Sequence, residues 1–360
     1  MENIKICSSI KQYFQECGFE ITNEENTKNI YRLESYLERH GNDFTLEIMH
    51  HKKPMTITIQ IKTNYKFNKK ELSKTLLLVD LINMVSMNIG CVGIDPETNK
   101  ISITSNLYLS HQGLDECQFK TTLELIFIQM QFCHALVQKV DRDTEDPLKV
   151  ISDFHYEVRQ AMELETGDQF DFADQYFVDI PRGAPFKDDS ELVVMDMQLC
   201  LQDEGLPILN ETERQADTEM RPTKIIGSWC KIESGVFQVQ AFYTPEANIV
   251  GIEIGGFSPI KDESASNYIY LFNWINQMQM RNWWVLCPEI NRILFRGGFV
   301  ISNGKLDKYQ FRKLIKSSIE NLKLFYPLVV NQEKIGKNVV DSILRFSGDN
   351  IINIGRFHNN

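Results

Sequence analysis

A membrane span needs roughly 18 uninterrupted apolar residues, and no stretch of this 360-residue chain approaches that. Its opening, Met1-Glu2-Asn3-Ile4-Lys5, lacks the basic start and apolar run of a signal peptide. The expected location is therefore cytoplasmic. C-x-x-C pairs are also absent. Cys7, Cys17, Cys91, Cys117, Cys133, Cys200, Cys230 and Cys287 are dispersed, several of them inside apolar runs such as Trp283-Trp284-Val285-Leu286-Cys287. Buried free thiols in a reducing compartment are expected, and a chain of this size needs no disulfide framework.

Catalytic and ligand signatures are equally scarce. Gly251-Ile252-Glu253-Ile254-Gly255-Gly256 lacks both the G-x-G-x-x-G and the Walker spacing, so it reads as a strand-ending turn. Gly297-Gly298 falls within an alternating stretch and reads as a bulge or bend. His50 and His51 are adjacent, so on a strand they face opposite sides, and they read as an exposed strand end. His40, His111, His134, His155 and His358 show no H-x-x-x-H spacing. No Ser/His/Asp, Cys/His or paired-carboxylate arrangement stands out. No catalytic, cofactor-binding or metal-ligating residue is assigned, and an enzyme is not expected. Lys52, Lys53, Lys62, Lys66, Lys69, Lys70 and Lys74 form one basic cluster, and Arg312, Lys313, Lys316 and Lys323 another. Stacking aromatics between them are sparse, so a solvated face is expected rather than a nucleic-acid interface. The next choice is an intramolecular partner for an acidic segment.

What the chain does contain is ordinary globular composition, 42% hydrophobic and 24% charged, at a length that suggests two domains. Its net charge of −11 is uneven. Residues 141–220 carry about −16, which leaves mildly basic flanks. That segment reads as an acidic connector with hydrophobic punctuation at Phe170, Phe172, Tyr176, Phe177, Val193, Val194, Leu199 and Leu201.

Laid on itself, the chain repeats. Ile82-Asn83 recurs as Ile275-Asn276, Met87 as Met280, Leu114-Asp115 as Leu306-Asp307, and Gln118-Phe119 as Gln310-Phe311. The spacing changes by one residue between these matches, and a longer hairpin turn at Asp95–Asn99 than at Pro288–Asn291 would explain it. In each copy a helix that is apolar almost all round (72–87, or 268–280) precedes a short strand and a turn. A period-2 strand follows, with Ile101, Ile103, Leu107 and Leu109 matching Ile293, Phe295, Phe299 and Ile301. Next, Asp115 with Gln118 and Asp307 with Gln310 have capping-box spacing. Leu114 with Phe119 and Leu306 with Phe311 have that of a hydrophobic staple. Three strands precede the first helix of each copy. Asn83 and Asn276 read as amides that close the helix-to-strand turn on free carbonyls. The first copy has a leading helix, 4–17, ended by Gly18. The second copy's leading helix lies at 147–163 or within 188–201, which could equally be a strand.

The predicted fold class is α+β: tandem β-β-β-α-β-β-α domains whose antiparallel sheets are packed by helices. The expected divisions are 1–140, an acidic connector 141–224, a second repeat 225–332 and a tail 333–360. This order resembles the YbjN family and the fold-sharing class I type III secretion chaperones. The resemblance is carried by Leu81-Ile82-Asn83 to Ile94, the hairpin to Leu109, and Leu114-Asp115 through Phe119. The second copy carries it from Trp274-Ile275-Asn276 to Phe311. It implies a bacterial, non-enzymatic module that holds a protein or peptide on sheet and helix surfaces, chaperone-like or adaptor-like. A small-ligand sensor between the two domains and an enzyme of unrecognised type are the alternatives. The two copies are expected to pair as an internal pseudo-dimer.

Overall fold

Alternating strands pleat one apolar face inward, and that face needs helices to cover it. The computed structural model describes residues 2–39, 42–53, 55–84, 89–95, 98–109, 113–154, 190–214, 223–245, 247–261, 264–278, 282–287, 292–302 and 304–335. The first unit runs α1 (Glu2–Glu16), β1 (Asn23–Asn26), β2 (Ile30–Arg39), β3 (Asn42–His51) and β4 (Thr56–Lys66). A 3-10 turn (Lys69–Glu71) leads into α2 (Leu72–Met84), then β5 (Cys91–Asp95), β6 (Lys100–Tyr108) and α3 (Glu116–Arg142). The second unit repeats the order with α4 (Ser190–Asp203), β7 (Asn210–Arg214), β8 (Thr223–Ile232), β9 (Gly235–Thr244) and β10 (Ile249–Gly255). It closes with α5 (Ala265–Met278), β11 (Trp283–Cys287), β12 (Arg292–Val300) and α6 (Lys308–Ile335).

Each unit therefore carries a six-stranded antiparallel sheet. The strand orders are β1-β2-β3-β4-β6-β5 and β7-β8-β9-β10-β12-β11. The inward rows, Leu33, Leu46, Ile48, Ile57, Ile59 and Ile103, are fully buried, as are Val239, Val250, Phe295 and Trp284 in the second sheet. The alternation read at 101–109 and 293–301 lies on this face.

Two boundaries differ from the sequence expectation. Each unit gains an extra edge strand, and of the two candidates for the second unit's leading helix the one within 188–201 holds that place. α4 and β7 fall inside the segment read as connector, yet they complete the second sheet and its helical cover. The second unit thus begins near 190 rather than 225. The match to α1 is local and physical. Gly18 and Gly205 both adopt φ near +80° (+80 and +77) just past the helix end. Their N–H groups bond Gln15 and Gln202 carbonyls at 2.9 Å, and the next residue, Phe19 or Leu206, is buried.

The one-residue spacing change also lies elsewhere. Asp95 pairs with Lys100 and Cys287 with Arg292, so the two hairpins are equally long. The extra residue sits between α2 and β5, since Asn83 bonds a residue nine positions on and Asn276 one eight positions on. α6 enters the expected tail as far as Ile335. The rest of the tail, and residues 155–189 with Phe170, Phe172, Tyr176 and Phe177, lie outside the described residues.

Candidate binding surface

The seam between the repeats is built from the two inner edge strands, β5 and β11. An edge strand presents backbone groups with no ladder partner. Here side chains supply the partner. Asn83 donates Nδ2 to the Val92 carbonyl at 2.9 Å and accepts the Val92 N–H at 2.8 Å. Asn276 does the same for Trp284, at 2.8 and 2.7 Å. The asparagines therefore close the helix-to-strand connection of their own repeat, as read from the sequence, on a free carbonyl and N–H of the edge strand. The last carbonyls of α2 are satisfied from the other repeat. Trp283 Nε1 donates to Asn83 C=O at 3.2 Å, and Arg296 donates to Met84 C=O while its Nε meets Glu253 at 3.0 Å. A cation at a helix C-terminus also suits the dipole. The next edge residues cross the seam: Asn273 and Gln277 bond Ile94, and Asp80 accepts the Leu286 N–H.

The capping boxes close only halfway. Asp115 Oδ1 accepts the Gln118 N–H at 2.7 Å and Asp307 Oδ1 accepts the Gln310 N–H at 3.1 Å, as the spacing predicts. The glutamine side chains do not turn back to their caps. Gln118 and Gln310 meet each other across the seam, with reciprocal amide bonds of 2.9 and 3.0 Å. Gln118 Nε2 also donates to Val300 C=O at 2.6 Å, and Gln310 Nε2 donates to Tyr108 C=O. The pair sits where an approximate two-fold relates the repeats. Phe119, Leu306 and Phe311 are buried, whereas Leu114 is half-buried.

Other residues singled out in the sequence serve structure. His50 and His51 close β3 but are buried, 0% and 8% exposed, not an exposed strand end. The start of α1 covers this corner, with His50 Nε2 at 3.4 Å from Asn3, and burial pushes the His50 ring down to about 4. Gly297 and Gly298 keep regular register with Ile252 and Gly251, so no bulge forms there. The register shift lies instead between Lys62 and Lys66 on β4. In the basic clusters, Lys62 pairs with Glu47 at 3.1 Å and Lys74 with Glu71 at 2.9 Å. Arg312 meets Asp203 at the end of α4 and Lys316 meets Glu204 in the turn after it, so part of the acidic segment is their partner.

A cleft of about 210 Å³ opens between α1 and the outer edge of the first sheet, beside Cys7, Lys11, Glu24, Tyr31 and Lys52. Its charges are committed: Lys11 holds Glu24 at 2.6 Å, Tyr31 donates to Glu24 at 2.9 Å, and Lys52 donates to Asn26 at 2.7 Å. Burial pushes the Cys7 thiol up, the opposite of what a nucleophile needs. No group of three or more potential metal ligands gathers among the described residues. None of their helices is long and apolar enough to cross a membrane.

The surface that stands out is on α4. Val193, Val194, Met197, Cys200 and Leu201 bury one side of this helix. On the opposite side Leu192, Met195 and Leu199 are exposed, at 54%, 49% and 42%. Their spacing is i, i+3, i+7, one continuous ridge. Asp196 and Asp203 flank it, tied to Lys308 (2.7 Å) and Arg312 of α6, and Gln198 on the other flank bonds Glu211 of β7 at 2.8 Å. Aligning Gly205 with Gly18 shows that α1 has Lys5, Ser8 and Gln12 at the matching positions, all exposed. The sequence reading missed the ridge because apolar residues on both sides of a short helix blur its period. The Gly18–Gly205 alignment was the available signal. No family model, curated protein or solved structure matches this chain.

Proposed function

We propose that the chain is a non-enzymatic protein-binding module, an internal pseudo-dimer whose partner docks on the solvent face of α4. The observation that carries this reading is the ridge of Leu192, Met195 and Leu199, present on one repeat and replaced by polar residues on the other. Architecture alone explains features that both copies share. A feature confined to one copy, costly in water and unused by the core, is better explained by a partner. Full burial of such a side chain is worth roughly 1.5–3 kcal/mol on transfer, and these are about half exposed, so covering each is worth about half of that. Asp196 and Asp203 beside the ridge are already paired with Lys308 and Arg312, which leaves Glu191 and Glu211 to favour a partner with a basic residue next to its apolar anchors.

The resemblance to the YbjN family and the class I type III secretion chaperones supports the same class of activity. Eight dispersed cysteines without a C-x-x-C pair support a reducing compartment, the cytoplasm. The test replaces Leu192, Met195 and Leu199 together by Lys. Capture from the native host, followed by mass spectrometry, should retain at least one protein on the wild-type chain and lose it on the variant. A Lys5→Glu, Gln12→Glu control on α1 should keep it. Identical captured sets for all three chains would overturn the reading.

A further inference from the structure

Asp80 on α2 and Asn273 on α5 occupy equivalent positions, three residues before Asn83 and Asn276, and each faces the edge strand of the opposite repeat. Asn273 uses both halves of its amide. Its Oδ1 accepts the Ile94 N–H at 2.9 Å and its Nδ2 donates to the Ile94 carbonyl at 3.0 Å. That carbonyl also receives Gln277 Nε2. At the mirrored place the Leu286 N–H lies 3.1 and 3.3 Å from the two carboxyl oxygens of Asp80. The residue that matches Gln277 is Met84, which carries no donor. An ionised Asp80 is acceptor-only. It could reproduce one bond of the Asn273 pair and would set its charge against the Leu286 carbonyl. A protonated Asp80 has nearly the shape of asparagine and one proton to give.

We propose that Asp80 is held as a neutral acid standing in for asparagine at the seam, giving its proton to the Leu286 carbonyl, and that losing this proton weakens the joint between the repeats. The surroundings support this. Asp80 is 5% exposed and belongs to none of the ion pairs among the described residues. Burial raises its carboxyl well above the usual range, and the Leu286 N–H offsets this only in part. The ionisable groups on the elements packed against α2 include Cys91 on β5, Cys287 on β11, Tyr268 and Tyr270 on α5, and Cys133 on α3. Burial pushes the Cys91 thiol up, an ionised Asp80 would push it further, and burial alone pushes Cys133 up to about 12. None of these is a cation, and of the cations that α3 and the 3-10 turn also carry (Lys120, Lys139, Arg142, Lys70), Lys120 is held by Glu16 and Glu116, Arg142 lies over the Tyr65 ring, and none bears on the Asp80 carboxyl. Arg296 on β12 reaches α2, but it bonds Met84 C=O and Glu253. At the start of α2, Lys74 pairs with Glu71 of the preceding 3-10 turn.

A carboxyl with a folded-state pKa above its unfolded value, about 3.9, contributes its full stability below that pH. It loses the contribution as pH rises through the folded titration. Between the two values the equilibrium moves tenfold per pH unit toward the open state. The device therefore tightens the seam in acid and loosens it in base.

The full chain and its Asp80→Asn variant are compared by urea denaturation and by amide hydrogen exchange at Ile94 and Leu286, from about pH 5 to pH 9. The wild-type chain should lose seam protection by up to tenfold per pH unit within its titration range. Asp80→Asn should lack that component and match the low-pH wild-type chain throughout. Infrared spectroscopy at neutral pH should show a protonated-carboxyl band in the wild-type chain that the variant lacks. An equal pH slope in the two chains, or no such band, overturns the proposal. Should Asp80→Asn fail to fold, Asn273→Asp places a second acid at the mirrored site and should steepen the slope. An unchanged slope there also overturns it.

Discussion

Gln118 and Gln310 occupy N3 of their helices, where a glutamine ordinarily serves its own cap, yet both spend their amides on the other repeat. Replacing Gln310 by Ala leaves the Gln118 amide and the Tyr108 carbonyl short of a partner, so it should cost about 1–3 kcal/mol in urea denaturation. Asp307→Ala should cost about 1 kcal/mol, the loss of a cap. Asp115→Ala should cost more, because Asp115 Oδ2 also accepts from Ser302 across the seam at 3.1 Å. Equal costs for the two caps would count against a cross-seam role. The buried histidines add a pH dependence of the opposite sign to that of Asp80. Burial holds both His50 and His134 down to about 4, against an ordinary value near 6.5. Their contribution is complete above pH 6.5 and is lost as pH falls toward 4, on the order of 2–3 kcal/mol per ring at full titration. His134→Gln should flatten the acid limb of stability against pH. An unchanged limb would show that the ring is solvated. Among the thiols, Cys117 is the half-buried one and the other seven are buried. Burial pushes Cys17 and Cys230 up to about 11. A thiol reagent added to the native chain should modify Cys117 first by a wide margin, with the others reacting only on unfolding.

The edge strands show how an element can be closed without a neighbouring strand. β5 and β11 are buried on both faces and at their free edge, with amide side chains in place of a ladder. Asn83→Leu or Asn276→Leu removes two hydrogen bonds and orphans a buried N–H and C=O each time. Either change should cost about 2–4 kcal/mol, and the two costs should be similar. A cost under about 0.5 kcal/mol, as for an ordinary surface position, would refute the role. The outer edges are managed differently. β1 reads Asn23-Glu24-Glu25-Asn26 and β7 carries Glu211 and Glu213, short, exposed and acidic, which discourages edge-to-edge pairing. Elements with a clean period were legible in the sequence: the meander strands, the apolar α2 and the staple-marked α3 and α6. α4 was not. Leu192-Val193-Val194-Met195 reads as a strand until the core on one side and the exposed ridge on the other are separated in space. β7, polar and exposed, had no apolar period to read.

For the whole molecule, the seam implies that neither repeat is complete alone. A fragment of residues 1–154 would expose the Asp80 and Met84 side of α2 and the β5 edge, which the second repeat otherwise covers. It should self-associate through the same face, reproducing the seam as a homodimer. In that dimer each Ile94 would meet Asp80 in place of Asn273 and Met84 in place of Gln277. Association should therefore be weaker than in the covalent pair, and Asp80→Asn should strengthen it. Sedimentation equilibrium decides this: a monomer at high concentration, unaffected by Asp80→Asn, would contradict the seam as the driving contact.

Period and repetition are properties of neighbouring residues, so the sequence by itself determined the α+β class, the duplication, the caps and most strand positions. Which residues meet across the two copies was settled only in three dimensions. Gln118 and Gln310 look like local capping residues because capping and cross-seam bonding call for the same side chain. Asp80 looks like any polar residue on an apolar helix until its counterpart, Asn273, shows what the site requires. Hydrogen-bond partners far apart in the chain leave no period behind, and so only the fold could assign them.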